Sequence, residues 1–195
     1  MKTNAIINLS VIFLIICIFT GCRNKTFKES APVDEPETET CFTAIDDYLT
    51  NEIGSHYLPG DICIPFYPYT AVDNTDSDDI QVCGDFWVMN YTVSDDTLKT
   101  VSGGSHPGKI HLRKTTDGHF EVTSFEAVAD GSEWEPSAKR IFGDRFSDFQ
   151  KSNSDEKNRE EIRMKTISEY VHSHQLPVST VKDFGWPAVQ IPQTE

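Results

Sequence analysis

The residues best suited to bind a ligand lie in the segment ValSerGlyGlySerHisProGly, residues 101–108. Ser105 and His106 supply a hydroxyl and an imidazole, and the glycines permit backbone angles and close approaches that other residues do not. These groups and the exposed backbone amides could surround an anion or a carbonyl oxygen. The alternative is a bulge or kink that bends a long strand. We favour the bend and treat Ser105 and His106 as candidate ligand-binding residues.

Two tryptophans near the ends of predicted elements are further candidates for ligand contact. Trp134 follows the last predicted strand of the sheet, and Trp186 lies in the tail sequence PheGlyTrpProAlaVal. Either could rim a pocket, although ordinary packing of the chain ends is the favoured interpretation. Trp87 and Tyr91 lie inside a predicted strand and are expected in the core.

No catalytic set is predicted from the residue types and their spacing. The six histidines stand outside any recognisable nucleophile motif. His172 and His174 are two residues apart, which places them on different faces of a helix. Asn74, Asp76 and Asp78 alternate as at the start of a calcium loop, but Asp79 stands where that loop needs glycine. We expect a solvated acidic turn there, with no metal site and no cofactor.

The N-terminal sequence has the pattern of a targeting signal. An apolar run over residues 5–19 is shorter than the roughly 20 residues needed to cross a bilayer, and a small pair leads from it into Cys22. The stretch resembles a bacterial lipoprotein signal, whose cysteine is acylated and becomes the mature N-terminus. The resemblance implies a signal peptide over residues 1–21 and a lipid such as palmitate on Cys22. The alternative is an uncleaved membrane anchor.

Charge and composition limit the partners. The formal net charge is −14, and removal of residues 1–21 takes away one lysine and no acid. Such a chain repels nucleic acid phosphates and anionic lipid headgroups, so we expect no nucleic acid partner and membrane contact only through Cys22. Residues 22–40 predict a flexible tether. The sequence ArgAsnLys after Cys22 is unlike an acidic surface-export signal, which favours a domain facing the periplasm, with cell-surface exposure as the alternative.

The cysteines divide by role. Of five, Cys17 would leave with the signal and Cys22 would carry lipid, so Cys41, Cys63 and Cys83 would stay in the domain. Cys63 and Cys83 lie in consecutive predicted strands, and an oxidising compartment permits a disulfide between them. The alternative is that all three are small buried hydrophobic residues.

Periodicity predicts one α+β domain over residues 41–195. Apolar residues recur at helical spacing over residues 41–55, and alternation or β-branched content then predicts four or five strands between residues 62 and 128. Hairpin-length connections, including the Asp117-Gly118 turn, favour an antiparallel meander. Two helices follow before Leu176. We therefore expect an N-terminal helix and two C-terminal helices packed on one face of a curved sheet.

Several segments resemble small secreted bacterial lipoproteins of unassigned function: residues 84–91, 97–112, 130–144 and 183–189. The order of elements also resembles the cystatin-like and SnoaL-like superfold, in which a bent antiparallel sheet wraps a helix. The resemblance implies this fold and no particular activity, because the superfold hosts enzymes, binding modules and interaction domains.

Two hypotheses follow. The first is a membrane-anchored, non-catalytic module that binds a protein or small ligand through residues 101–108 or between sheet and helices. The second is a small hydrolase or isomerase that uses a cone-shaped cavity between sheet and helix. It requires at least two acids or histidines converging in that cavity.

Overall fold

The computed structural model describes the backbone of residues 35–193, with side chains from residue 41. These residues belong to one compact unit. The expected signal peptide, Cys22 and the tether up to residue 34 lie outside the described residues. The first helix already begins at Glu35, so the last six residues assigned to the tether are helical. No helix in the described part of the chain is long and apolar enough to cross a membrane.

The first helix, α1, spans Glu35–Tyr48 and continues through a π-helical turn, Leu49–Ile53, into a short 3-10 turn, Gly54–His56. The predicted apolar stripe is confirmed, since Ile45 and Leu49 are fully buried. These residues repeat at helical spacing, which lets one face of α1 pack on the sheet.

The sheet is built around two long central strands. The third and fourth strands form a long antiparallel pair. The first and second strands are short, and they pair one after the other with the opposite edge of the third strand. The strands are β1 Ile62–Phe66, β2 Tyr69–Asp73, β3 Ile80–Ser94, β4 Thr97–Lys114 and β5 Phe120–Ala127. The strand β4 therefore runs without interruption through the glycine-rich segment.

The C-terminal tail adds two strands that the sequence did not predict. The strand β6, Thr180–Lys182, pairs in parallel with Thr97–Lys99 of β4, and β7, Val189–Gln190, pairs antiparallel with β6. The sheet is thus mixed and open with seven strands. The expectation of a purely antiparallel meander of four or five strands is wrong, because the chain returns along β4 after its last helix.

Three helices follow β5: α2 Trp134–Phe142, α3 Phe146–Ser154 and α4 Glu156–Ser173. Gly143, with φ of +54°, ends α2. Asp155 caps α4 by accepting a hydrogen bond from the Asn158 N–H at 3.0 Å.

Helices pack on both faces of the sheet, which corrects the expectation of helices on one face. Val82 and Phe86 of β3 pack with α1. The adjacent Cys83 packs with α2 and α3, and Tyr91 packs with α4. Successive side chains of a strand point to opposite faces, so β3 is buried on both sides.

Candidate functional site

The strand β4 has an unpaired stretch in its middle. On the edge away from β3, β5 pairs with residues Gly108 to Lys114 and β6 pairs with residues Thr97 to Lys99. Between them, no strand within residues 35–193 pairs with this edge. We call residues 100–106 of β4 the open edge. It contains Ser105 and His106, two of the predicted site residues.

The open edge presents backbone groups in a defined alternation. The Val128 N–H donates a hydrogen bond to the Pro107 carbonyl at 2.8 Å, so Pro107 directs its carbonyl away from β3. Alternate residues of a strand direct their N–H and C=O groups to the same side. Gly103 and Ser105 therefore direct both groups outward, where a further strand could accept and donate hydrogen bonds.

The glycines allow close contacts in the middle of β4. Gly103 has φ of +153°, and a Cβ atom there would lie 2.2 Å from the Val88 carbonyl oxygen. A Cβ at Gly104 would lie 2.4 Å from Tyr57 Oη. The pairing with β3 also shifts register between Asn90 and Tyr91, which marks a bulge. The bulge predicted as the alternative to a ligand loop in residues 101–108 is confirmed at Val101, which the pairing with β3 skips. A binding role for this segment would depend on the backbone N–H and C=O groups of its outward edge.

On one face of the open edge, Ser105 contacts a buried carboxylate. Ser105 Oγ donates a hydrogen bond of 2.5 Å to Asp85 Oδ1, and Trp87 Nε1 donates one of 2.7 Å to Asp85 Oδ2. Asp85 is only 2 % exposed. Burial raises the pKa of Asp85, and the two hydrogen bonds oppose that rise. The Arg159 guanidinium lies 5.3 Å from the centre of the Trp87 ring.

On the other face, His106 pairs with a tyrosine. His106 Nε2 and Tyr57 Oη share a hydrogen bond of 2.9 Å. Burial lowers the pKa of His106, and the negative charges of Asp85 and Asp130 oppose this. Ser105 and His106 lie on opposite faces of β4, as expected for adjacent residues of a strand. They do not act together on one bound group.

An ion pair between buried Arg163 and partly exposed Asp183 fixes the chain at the Thr100 end of the open edge. Arg163 of α4 donates hydrogen bonds of 2.9 and 2.7 Å to Asp183, and Thr100 Oγ1 donates one of 2.5 Å to the same carboxylate. Arg163 also donates to Tyr91 Oη at 3.2 Å. Burial alone would raise the pKa of Asp183, but the hydrogen bonds from Arg163 and Thr100 outweigh it and lower this pKa.

Two exposed aromatic residues follow Asp183 in the chain. The turn after β6 exposes Phe184 by 95 % and Trp186 by 71 %. The parallel pairing of β6 with β4 ends at Lys182, and the next residue, Asp183, accepts a hydrogen bond from Thr100. Ser102 Oγ donates to the Leu58 carbonyl at 2.6 Å, and Leu58 is exposed.

Trp134 does not belong to this site as an exposed contact. It is partly buried at the start of α2, and its ring centre lies 6.0 Å from that of Phe149. Packing of a helix end explains it. Sequence reasoning missed Tyr57, Leu58 and Asp183 as site residues, because each is brought to β4 from a distant part of the chain. The ValSerGlyGlySerHisProGly segment was the available signal.

The suggested disulfide between Cys63 and Cys83 is wrong for this fold. Cys63 lies opposite Asn90 and Cys83 lies opposite Ala71, so the two thiols sit seven positions apart along β3, roughly 23 Å. That distance is far beyond disulfide reach. Cys41, Cys63 and Cys83 are free thiols, and burial raises the pKa of each.

The acidic turn stabilises its own backbone. Asp73 accepts a hydrogen bond from the Thr75 N–H at 3.1 Å, and Asp76 accepts one from the Asp78 N–H at 2.9 Å. Within the described residues, no group of three or more histidine, cysteine, aspartate or glutamate side chains is arranged to hold a metal ion. Comparisons with protein-family models, curated proteins and solved structures found no match.

Proposed function

We propose that this protein is a lipid-anchored, non-catalytic binding module that captures an extended segment of a partner protein as an added strand on the open edge of β4. The observation that carries this proposal is the interruption of edge pairing between β6 and β5. An unpaired strand edge supplies a row of donors and acceptors that fits another strand. Residues 100–106 would pair with a segment of about six or seven residues, roughly 20–23 Å long.

The anchor belongs to the same proposal. Acylation of Cys22 and the tether that follows would hold the domain at a bacterial membrane, facing the periplasm, with the open edge free to meet soluble or membrane-bound partners. The cystatin-like type of fold is also part of the proposal. It is supported by a long central antiparallel pair packed against α1, while the parallel strand β6 is an addition to that plan.

The hydrolase or isomerase alternative has less support. Its best residue is Asp85, a buried carboxylate whose pKa is raised by burial. His106 lies on the opposite face of β4 and bonds to Tyr57 instead. The space between α1 and the sheet is occupied by fully buried side chains, including Ile45, Leu49 and Phe86.

Amide hydrogen exchange on the full-length chain in detergent micelles tests the proposal. Without ligand, the outward N–H groups of Gly103 and Ser105 should exchange much faster than those of Gly104 and His106, which donate to β3. The probe is an acetylated and amidated octapeptide of alternating lysine and valine. Its binding should slow exchange at Gly103 and Ser105.

The matched control is the same octapeptide methylated on every backbone nitrogen, whose methyl groups remove its donors and clash with a neighbouring strand, so that it cannot pair with an edge. It should leave the exchange of Gly103 and Ser105 unchanged. Equal protection by both peptides, or protection by neither, would overturn strand addition at this edge.

A further inference from the structure

We infer that the captured segment carries opposite charges at its two ends and runs antiparallel to β4, with a basic residue beside His106 and an acidic residue beside Lys99 and Lys182. This inference rests on the proposed strand addition and names the charge pattern and direction of the partner segment. Backbone pairing provides affinity for any extended peptide, whereas side-chain contacts beside the edge decide which peptide binds.

Two lysines mark the Thr100 end of the open edge. Lys99 of β4 and Lys182 of β6 lie directly opposite each other in the parallel pairing. Like charges that face each other across neighbouring strands destabilise the pairing. Lys99 Nζ donates a hydrogen bond of 2.8 Å to the neutral Ser94 Oγ, and neither lysine forms an ion pair within the described residues. A carboxylate between the two lysines would relieve their repulsion, so this end favours an acidic residue.

The other end of the open edge is acidic. The hydrogen bond from the Val128 N–H to the Pro107 carbonyl brings the chain that leads to Asp130 to this end. Burial raises the pKa of Tyr57, and the charge of Asp130 raises it further. Burial lowers the pKa of His106, and the charge of Asp130 is one of two that oppose this. Both effects require the Asp130 carboxylate to lie near these side chains, where it would attract a basic residue.

The two charged ends are presented on one face of the sheet. Lys99 lies opposite Thr92 of β3, and His106 lies opposite Phe86. Because an even number of residues separates Thr92 from Phe86 along β3, Lys99 and His106 point to the same face. The six residues from Phe86 to Thr92 span roughly 20 Å. A captured strand would therefore meet both ends with two side chains six positions apart.

The basic side chains on the opposite face already have neighbours. Arg163 pairs with two carboxylates, those of Asp183 and Glu160. Lys109 lies directly opposite Glu126 in the register of β4 with β5. The charge contrast between the two ends of the open edge therefore belongs to the face that carries Lys99 and His106.

The strands on either side of the open edge limit the size and direction of its occupant. The strands β5 and β6 pair with the same edge of β4, so a strand longer than about seven residues would meet their ends. A second copy of β4 carries its own β5 and β6 and cannot enter, which leaves a short extended segment of a loop or terminus. Antiparallel pairing is slightly more stable per residue than parallel pairing, which favours an antiparallel segment.

Two heptapeptides of identical composition test the charge pattern on the full-length protein in detergent micelles. Both are acetylated and amidated. The first reads Lys-Val-Thr-Val-Thr-Val-Glu, and the second exchanges its lysine and glutamate. Only the first places both charges favourably in an antiparallel strand, so at low salt it should bind at least about fivefold more tightly, as measured by titration calorimetry. The preference should vanish in about 1 M salt, where the screening length is about 3 Å.

Charge variants assign the preference to particular residues. Lys182→Gln and Asp130→Asn should each reduce the preference for the first peptide by at least about half, because each removes charge from one end. The double variant with Lys182→Glu and Asp130→Lys keeps the net charge and should reverse the preference. The matched control is Lys165→Gln, which breaks an exposed ion pair with Glu169 on α4 and should leave the preference unchanged.

Amide exchange at Gly103 and Ser105, read with each peptide, separates this inference from strand addition. If both peptides protect these amides and bind with equal affinity, the charge pattern fails and strand addition stands. If neither peptide protects them, strand addition fails whatever the affinities are. Tighter binding of the second peptide would overturn the antiparallel direction. A preference that the double variant leaves unchanged would overturn the assignment to Lys182 and Asp130.

Discussion

Arg163 and Asp183 form a two-point ion pair that joins α4 to the end of β6, although twenty residues separate them in the chain. The Arg163 side chain is 9 % exposed and that of Asp183 is 37 % exposed. The pair therefore combines a buried cation with a partly solvated anion. It holds the turn that carries Phe184 and Trp186 against Thr100 of β4.

Removing the anion should destabilise the fold. In Asp183→Asn, Arg163 stays buried without its main counter-charge, which costs more than the pair contributes when intact. Because solvent reaches Asp183, we expect a loss of about 2 kcal/mol in the free energy of unfolding, below the range for fully buried pairs. Urea denaturation at neutral pH measures it.

The matched control is Asp148→Asn, which breaks an exposed ion pair between Asp148 and Lys151 on α3. Exposed pairs contribute little, so its unfolding free energy should change by less than about 0.5 kcal/mol. Equal losses in Asp148→Asn and Asp183→Asn would show that the Arg163 pair has no special structural role.

Ionisation of Asp46 should lower the free energy of unfolding as pH rises. Burial raises the pKa of Asp46 to about 6, against the hydrogen bond of 2.9 Å that Tyr67 Oη donates to it. The folded state thus binds a proton more tightly than the unfolded state, whose carboxyl has a pKa of 3.8. Stability from this group is present below about pH 4 and is lost as pH rises to about 6.

Asp46→Asn removes that titration and keeps an oxygen that can accept from Tyr67. Its stability relative to the parent should rise between pH 4 and pH 7 by roughly 1–2 kcal/mol, measured by urea denaturation at both pH values. Asp47→Asn, an exposed change in the next residue of α1, should retain most of the parent's pH dependence. A pH-independent difference between Asp46→Asn and the parent would contradict the assignment.

Ser105→Ala should act through Asp85. The substitution removes the hydroxyl that donates to Asp85 Oδ1 and leaves the buried carboxylate with Trp87 as its remaining side-chain donor. The pKa of Asp85 should rise further, because the lost hydrogen bond favoured the charged form. We expect a loss of about 1–2 kcal/mol at pH 7 and a smaller loss at pH 4, where the carboxyl is closer to neutral.

Ser124→Ala on β5 serves as the comparison, since Ser124 is an exposed strand serine on the neighbouring strand. It should change stability by less than about 0.5 kcal/mol at either pH. A Ser105→Ala loss that is the same at pH 4 and pH 7 would exclude an effect through Asp85 ionisation.

All three domain cysteines should react as thiols. Alkylation of the unfolded protein without any reductant, followed by peptide mapping, should modify Cys41, Cys63 and Cys83 completely. The separation of Cys63 from Cys83 along β3 forbids a bond in the native fold. Recovery of a peptide pair linked through Cys63 and Cys83 would contradict the observed strand register.

Local patterns predicted most elements but not their pairing. The stripe containing Ile45 and Leu49 predicted α1, and the Asp117-Gly118 turn predicted the β4–β5 hairpin, because both depend on neighbouring residues. The strand β6 was not predicted, because its three residues are too few to show the alternation typical of a strand. Its place in the sheet depends on β4, over eighty residues earlier.

The sequence alone determined that residues 101–108 are unusual and that the glycines permit a bend, since both follow from local backbone chemistry. It also determined the net charge of −14, and it is the basis on which a lipid on Cys22 is proposed. Only the tertiary structure decided that β5 and β6 stop short of each other on β4, that Ser105 and His106 meet different partners, and that Phe184 and Trp186 are exposed in the turn after β6. These are long-range relationships, set by packing among elements far apart in the chain, which no local pattern encodes.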